Sequence, residues 1–214
     1  MTGSITLENI FGVNKMELIS LKYVIFVIAL LVLYYCFPKK YRWYVLLAGS
    51  MAYYVIICKW YVLFIIFTIC TTYGSTIWID KLLKKQNAVV KSHKEDWDRQ
   101  TRKEYKEKGR KKRVAVMLFA LLCNFGILAF LKYIPYAGML GLLLPLGISF
   151  YTFQSMGYVM DVYREIVEPE KNFLKVALFV SFFPQIIQGP IAIYDKLAGQ
   201  LYEGHSLRLE NLQK

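Results

Sequence analysis

The stretch LPLGISFYTFQSMGYVMDVYREIVEPEKNFLKVALFVSFFPQIIQGP, residues 144–190, decides the fold of this chain. It consists of an apolar run with embedded polar residues, a short acidic loop, and a second apolar run that contains Pro184 and ends at Pro190. Polar groups inside an apolar segment of bilayer length are costly and usually functional. A proline break at membrane depth is tolerated only where protein or water satisfies the freed backbone groups. The stretch therefore predicts one membrane helix with a polar side, followed by a broken or re-entrant segment.

Composition places the whole chain among polytopic α-helical membrane proteins. Of its 214 residues, 57% are hydrophobic and 20% are charged, and the net charge is +12. Several apolar runs approach or exceed the roughly 20 residues that a spanning helix needs. We predict an all-α transmembrane helical bundle of about five spanning helices plus the broken segment. The spans are predicted at residues 18–37, 43–57, 60–79, 114–134 and 142–163, and the broken segment at residues 173–193.

The second and third spans require a turn between them. A single helix over residues 43–79 would be roughly 54 Å long at 1.5 Å per residue. The hydrocarbon core of a bilayer is only about 30 Å thick. We therefore predict a turn at residues 58–60, although neither glycine nor proline marks it.

Residues 80–113 are the one long polar segment, with fourteen Lys or Arg and six Asp or Glu. The positive-inside rule predicts a cytoplasmic basic loop here, and counting spans outwards then predicts an extracellular N-terminus. Glu104 and Glu107 each precede a lysine by four residues, which predicts an exposed helix within the loop. The loop could lie on anionic lipid. No base-stacking or groove-reading pattern accompanies the charge, so we do not predict nucleic acid as a partner.

Polar side chains recur on the predicted fifth span at helical spacing. Those that share one face are Tyr151, Gln154, Tyr158, Asp161 and Glu165. One interpretation is that this face lines a substrate passage, together with Gln185 and Gln188 in the broken segment. The alternative is a packing face whose polar groups bond to neighbouring helices. Both bury polar groups inside a bundle, so the residues alone leave both open.

A second set of residues is predicted to be structural. Asp161 and Arg164 are three apart, where a helical ion pair forms easily. Pro184, Gly189 and Pro190 are predicted to kink or unwind the last apolar segment. The sequence shows no metal-binding cluster, phosphate loop or catalytic histidine within an apolar run, and its histidines, at positions 93 and 205, lie in polar segments.

These residues lie in blocks that resemble the membrane-bound O-acyltransferases. Residues 144–164, LPLGISFYTFQSMGYVMDVYR, and residues 181–191, SFFPQIIQGPI, are similar to two ordered blocks of that family. Residues 131–133 and 197–211 also fit. The resemblance is greatest to the bacterial branch that contains alginate O-acetylase and the D-alanyl transfer protein of teichoic-acid modification. It implies that residues 1–214 are the N-terminal part of one membrane-embedded acyltransferase domain.

The resemblance also implies a reaction and its participants. An acyl group, acetyl or D-alanyl, would pass from a cytoplasmic donor to a hydroxyl of an extracytoplasmic polysaccharide. The implied donor is an acyl carrier protein thioester or acyl-CoA as co-substrate, with no bound cofactor. The implied partners are the lipid bilayer, the carrier protein, the glycan acceptor and other cell-envelope acylation proteins.

The family's catalytic base is an intramembrane histidine downstream of the matched blocks. The resemblance therefore assigns no catalytic residue to this chain. It implies an inactive part, as a fragment, a truncated product or half of a split protein.

Two other functions fit the same residues. A transport or channel module would use the polar face and the broken segment equally well. A non-catalytic scaffold of a cell-envelope acylation complex would bind partners without chemistry. A second broken segment in inverted register would favour transport, whereas an intramembrane histidine in a continuing chain would favour the enzyme. Each function predicts a multi-pass protein of the cytoplasmic membrane.

Overall fold

A computed structural model describes residues 21–93, 96–133, 147–188 and 193–202, and the elements that these residues form are helices, with no strand among them. The predicted all-α fold is therefore confirmed for the described part of the chain. The helices are α1 Leu21–Cys36, α2 Arg42–Cys58, α3 Val62–Ser92, α4 Arg99–Tyr133, α5 Ile148–Tyr163, α6 Phe173–Ser181, α7 Phe183–Gln188 and α8 Tyr194–Tyr202.

Among the residues that the structure describes, two helical stretches are long and apolar enough to cross a membrane. They are residues 39–92, which are interrupted at Lys59, and residues 99–133. Shorter apolar helices lie at residues 23–36 and 173–185. Of the predicted fifth span, the structure describes only the part from residue 147 onwards. Membrane-spanning character is thus supported for part of the bundle, and the count of five spans stays a prediction.

The predicted turn between the second and third spans is confirmed as a break in the helix. Lys59 has φ 48° and ψ −117°, and a short 3₁₀ turn, Lys59–Tyr61, separates α2 from α3. A left-handed φ at a residue with a side chain interrupts a right-handed helix. As a result α2 packs on α1 and α6, whereas α3 packs mainly on α4 and α5.

The basic segment at residues 80–113 is largely helical, and the exposed helix predicted around Glu104 and Glu107 is confirmed. α3 continues to Ser92 and α4 begins at Arg99, so the two helices form an antiparallel hairpin with a short connection. The sequence of its second arm, RQTRKEYKEKGRKKR, is rich in Lys, Arg, Glu and Gln, which have high helix propensity and can stay solvated on a helix surface.

Two contacts fix the register of this hairpin. Asn124 Nδ2 donates a hydrogen bond to Thr71 Oγ1 at 2.9 Å in the apolar half. In the basic half Gln86 lies directly against Gly109, where an added Cβ would meet its Oε1. The same antiparallel alignment of α3 with α4 accounts for both pairs. The register is therefore the same in the apolar half and in the basic half of the hairpin.

Many large apolar side chains face outward from the bundle, and some polar side chains are buried in its largely apolar interior. Leu122 is 73% exposed and Phe119 is 67% exposed, whereas Thr72 and Ser155 are fully buried. Exposed apolar patches of this kind mark surfaces that contact lipid or protein rather than water. The distribution fits helices that stand in a membrane.

Candidate functional site at the helix break

The last apolar segment is broken between α6 and α7, as the sequence predicts. Phe182 has φ −59° and ψ 105°, an extended conformation that ends α6 at Ser181. Pro184 follows in the first turn of α7, where a missing N–H costs nothing because that group has no partner within the helix. The break therefore lies two residues before the proline.

Two buried side chains satisfy backbone groups on either side of this break. The last four carbonyls of a helix and its first four N–H groups have no partners within the helix. Gln154 Nε2 of α5 donates a hydrogen bond to the Phe179 carbonyl at 2.9 Å. Ser50 Oγ of α2 accepts a long hydrogen bond, 3.5 Å, from the Phe183 N–H. Because both side chains are buried, water cannot readily take their place.

Aromatic rings hold the start of α7 in position. The Phe183 ring lies 5.5 Å from the Tyr53 ring and 5.6 Å from the Phe26 ring, centroid to centroid. The Tyr23 ring completes the group at 6.4 Å from Phe183. Such aromatic pairs stabilise by more than the area they bury. α7 is thereby anchored to α1 and α2.

Tyr158 connects the polar face of α5 to the segment that follows it. Its Oη accepts a hydrogen bond from the Glu170 N–H at 2.8 Å. Its ring stacks on Tyr194 of α8 with 4.2 Å between centroids, and meets Phe179 edge-on at 5.8 Å. One side chain therefore joins α5, α6, α8 and the connection between α5 and α6.

A polar network surrounds this connection. Lys175 Nζ lies 3.7 Å from Glu170 Oε2 and 4.7 Å from the centre of the Tyr202 ring. Tyr202 Oη donates a hydrogen bond to the Lys175 carbonyl at 2.8 Å. Burial raises the pKa of the Tyr194 and Tyr202 phenols above the ordinary value, so both stay protonated at neutral pH.

A cavity of about 530 Å³ lies between this connection and α8. Its lining residues are Glu168, Pro169, Glu170, Lys171, Tyr194, Asp195, Ala198, Gly199 and Tyr202. None of the side chains predicted to line a passage is among them. The cavity nevertheless borders the polar face of α5, because its lining residues Glu170 and Tyr194 both contact Tyr158.

The structure places three residues of the predicted polar face in the interior of the bundle. Tyr151, Gln154 and Tyr158 are all at least 97% buried. Gln154 and Tyr158 make the contacts described above, and the Tyr151 ring meets the Tyr54 ring of α2 at 6.2 Å. In the described structure these side chains pack between helices, and their role in lining a passage stays a prediction.

The other predicted site residues are more scattered. Asp161 and Gln185 are half-buried, and Pro184 is exposed. The side chain of Gln188 lies outside the described residues. Gly189, Pro190 and His205 also lie outside them.

The predicted ion pair between Asp161 and Arg164 is wrong for the described structure. Arg164 is the C-cap of α5 and its N–H bonds to the Met160 carbonyl, but its side chain is exposed and the described residues show no ion pair between it and Asp161. Instead Glu165, with φ 62°, accepts a hydrogen bond from Arg113 Nη1 of α4 at 2.7 Å. This ion pair ties the end of α5 to the basic hairpin.

Sequence reasoning overlooked a row of hydroxyl side chains on α3. Thr68, Thr72, Ser75 and Thr76 are buried, and their side chains face the interior of the bundle. Small residues of this kind let membrane helices approach closely. The signal was present as three- and four-residue spacing within TICTTYGST, residues 68–76, but the high apolarity of that span concealed it.

Comparison with known proteins adds to this geometry. The chain is 37% identical over 92 residues to the probable alginate O-acetylase AlgI of Pseudomonas aeruginosa, a match that covers 41% of this chain and 18% of that protein. It is 47% identical over 58 residues to the AlgI of Pseudomonas syringae pv. tomato, covering 27% of this chain and 11% of that protein. The predicted resemblance to bacterial O-acyltransferases is confirmed.

A third relative bears a different name. The chain is 32% identical over 120 residues to the peptidoglycan O-acetyltransferase of Helicobacter pylori, covering 39% of this chain and 23% of that protein. The chain thus spans less than a quarter of the length of these O-acetyltransferases. No family model and no solved structure matches it.

Proposed function

We propose that residues 1–214 form part of the membrane-embedded domain of an O-acetyltransferase that modifies a cell-envelope polysaccharide. The observation that carries this proposal is the similarity to alginate O-acetylases and to a peptidoglycan O-acetyltransferase, at 32–47% identity. Two relatives that are named for different polysaccharides share the transfer of acetyl to a sugar polymer. That shared chemistry is what we assign to the domain.

The proposed reaction moves the acetyl group from an activated donor to a sugar hydroxyl. The donor is a thioester, either an acyl carrier protein or acyl-CoA, on the cytoplasmic side. The ester C–O bond forms as the thioester C–S bond breaks, and the hydroxyl proton passes through a base to the thiolate that leaves. A positioned base is needed because a neutral hydroxyl is a weak nucleophile. His93 is not that base in our proposal, because it is exposed at the hairpin and stacks on Trp97.

The described residues supply the wall of the site. Gln154 and Ser50 hold the two ends of the helix break, and Phe183 anchors α7. Gln185 of α7 is half-buried, and in the described part of the chain its amide oxygen has no hydrogen-bond partner. Buried polar atoms without partners are rare and call for an explanation. We assign Gln185 to the substrate passage, beside the break between α6 and α7.

The proposed location is the cytoplasmic membrane, crossed by about five helices. The apolar stretches at residues 39–92 and 99–133 and the exposed apolar side chains support the membrane. The basic hairpin at residues 80–113 supports a cytoplasmic position for that end of the bundle and an extracellular N-terminus. Donor and acceptor would then reach the domain from opposite sides.

Ester-bound acetate on the envelope polysaccharide tests the proposal. The gene is disrupted in its own cell, and the acetate that mild base releases from purified envelope glycans is measured. We expect the released acetate to fall on disruption and to return when the intact gene is restored. Unchanged acetate on every envelope glycan would rule out the proposed function.

A further inference from the structure

Both arms of the α3–α4 hairpin change from apolar to charged at the same level. On α3 the change comes between Ile79 and Asp80, and on α4 it comes between Arg113 and Val114. In the register set by Gln86 against Gly109, these two points lie within about 3 Å of each other along the hairpin axis. They therefore define a single plane across the hairpin, which we call the boundary plane.

Exposed basic side chains from both arms cluster just beyond the boundary plane. These side chains, called the boundary cluster below, are Lys81, Lys85, Arg110, Lys111 and Lys112. Each lies within roughly 8 Å of the plane at 1.5 Å per residue. In the described part of the chain, none of them is in an ion pair, and the nearby acids Asp80 and Glu165 pair with Lys84 and Arg113 instead.

We propose that the boundary cluster binds the headgroups of anionic phospholipid, such as phosphatidylglycerol. The inference rests on the membrane location of the proposed function. A bilayer's headgroup layer extends several ångströms beyond its hydrocarbon core, which is where the cluster stands when the apolar halves of α3 and α4 fill that core. Trp78 lies just inside the plane and is 59% exposed, as interfacial tryptophans are.

The basic residues nearer the hairpin tip provide a natural contrast. Lys91, Arg99 and Lys103 are also exposed, but they lie roughly 16–22 Å beyond the boundary plane. That distance exceeds both the headgroup layer and the screening length of about 8 Å at physiological salt. A lipid surface therefore attracts the boundary cluster strongly and the tip weakly, whereas an acidic soluble protein would find the tip more accessible.

Trp78 supplies the test, because brominated lipid quenches tryptophan fluorescence on contact. The chain is reconstituted with Trp43, Trp60 and Trp97 replaced by phenylalanine, so that Trp78 is the only reporter. Quenching by brominated phosphatidylglycerol is compared with quenching by brominated phosphatidylcholine in otherwise identical bilayers. We expect a preference for phosphatidylglycerol of about five-fold in relative binding constant, the effect of one basic side chain near an anionic surface.

Two matched triple variants locate the effect. Lys85→Gln, Arg110→Gln and Lys111→Gln together should lower the preference clearly, because three of the five side chains of the boundary cluster lose their charge. Lys91→Gln, Arg99→Gln and Lys103→Gln remove the same charges from the tip and should leave it unchanged. All six positions are exposed, and circular dichroism checks that helicity is retained.

The outcomes separate this inference from the proposed function. Equal quenching by the two lipids in the parent chain, or equal loss of preference in both triple variants, overturns the lipid site and leaves the acetyltransferase proposal standing. No quenching by either lipid overturns the membrane placement itself, and with it this inference. A preference lowered only in the boundary variant supports the site.

Discussion

Gln154 acts on a helix end that lies beyond the reach of solvent. Its amide donates to the Phe179 carbonyl, one of the groups left without an intrahelical partner where α6 stops. An exposed helix end would be satisfied by water, but Gln154 is only 3% exposed. At this position the polar face of α5 therefore satisfies the end of α6, whether or not it also lines a passage.

Replacing Gln154 with leucine should destabilise the break. We expect a loss of about 1–3 kcal/mol in the free energy of unfolding, because the Phe179 carbonyl would stay buried without a partner. Thermal unfolding of the purified protein measures the loss. O-acetylation in the complemented cell should fall at the same time, if α7 borders the substrate passage.

Gln100→Leu is the matched control, since Gln100 is exposed on the basic hairpin. It should change neither the unfolding temperature nor the released acetate. If Gln154→Leu behaved like this control in both measurements, the helix-end role of Gln154 would be refuted.

At the scale of elements, the Gln86 side chain of α3 packs directly against Gly109 of α4. A Cβ at position 109 would overlap sterically with Gln86 Oε1, and Gln86 is fixed by burial and by its hydrogen bond to the Lys106 carbonyl. Gly126, on the same helix, has open space around it. Of the two glycines of α4, Gly109 has no room for an added methyl group, whereas Gly126 has room for one.

Alanine at these two positions should therefore have opposite effects. Gly126→Ala should stabilise by about 1 kcal/mol through helix propensity alone. Gly109→Ala should destabilise the hairpin despite the higher helix propensity of alanine, because the added methyl group would displace the Gln86 side chain. Hydrogen exchange of the backbone amides on residues 86–92 and 99–109 measures the effect, and faster exchange in Gly126→Ala than in Gly109→Ala would contradict it.

Docking of α8 should weaken at high pH. The folded pKa of Tyr194 and Tyr202 is raised by burial above the ordinary value of about 10. A group whose pKa is raised on folding stabilises the fold fully below its unfolded pKa and loses that contribution as pH rises further. We therefore expect α8 to detach above about pH 10.

Two measurements follow this transition: tyrosinate absorbance reports ionisation of the phenols, and limited proteolysis around residues 194–202 reports detachment of α8. In Tyr194→Phe with Tyr202→Phe the proteolytic transition should move to higher pH, because no buried phenol remains in α8 to ionise. A transition at the same pH in parent and variant would show that these phenols do not control docking.

At the scale of the whole molecule, some features of the described structure can be predicted from local sequence patterns and others cannot. The helices, the break at Lys59 and the break before Pro184 follow from apolar length and from proline chemistry, which are local properties. The partner of the Phe183 N–H could not be predicted in this way, because Ser50 lies 133 residues away in the sequence. Packing between distant elements decides such contacts.

The basic hairpin illustrates the same limit. Charge density at residues 80–113 predicts an exposed segment, but it does not distinguish a solvated loop from two solvated helices. The distinction depends on Gln86 and Gly109, whose fit appears only when α3 and α4 are side by side. Likewise, the pairing of Arg113 with Glu165 depends on where α5 ends, which helical spacing alone does not give.

Topology is the prediction that belongs to the whole molecule. A single cysteine at Arg99, in a chain whose native cysteines are replaced by alanine, should react with a membrane-impermeant maleimide only after the cytoplasmic membrane is opened. The reason is that the basic hairpin is expected on the cytoplasmic side. Labelling of intact spheroplasts at this position would reverse the proposed orientation.

The backbone at Lys59 has a mechanical consequence for this molecule. A lysine held at φ 48° and ψ −117° stores about 1–3 kcal/mol of strain, which straightening would release. Packing of α1 and α6 on α2 has to outweigh this strain, so the break at Lys59 depends on tertiary contacts and not on its local sequence alone.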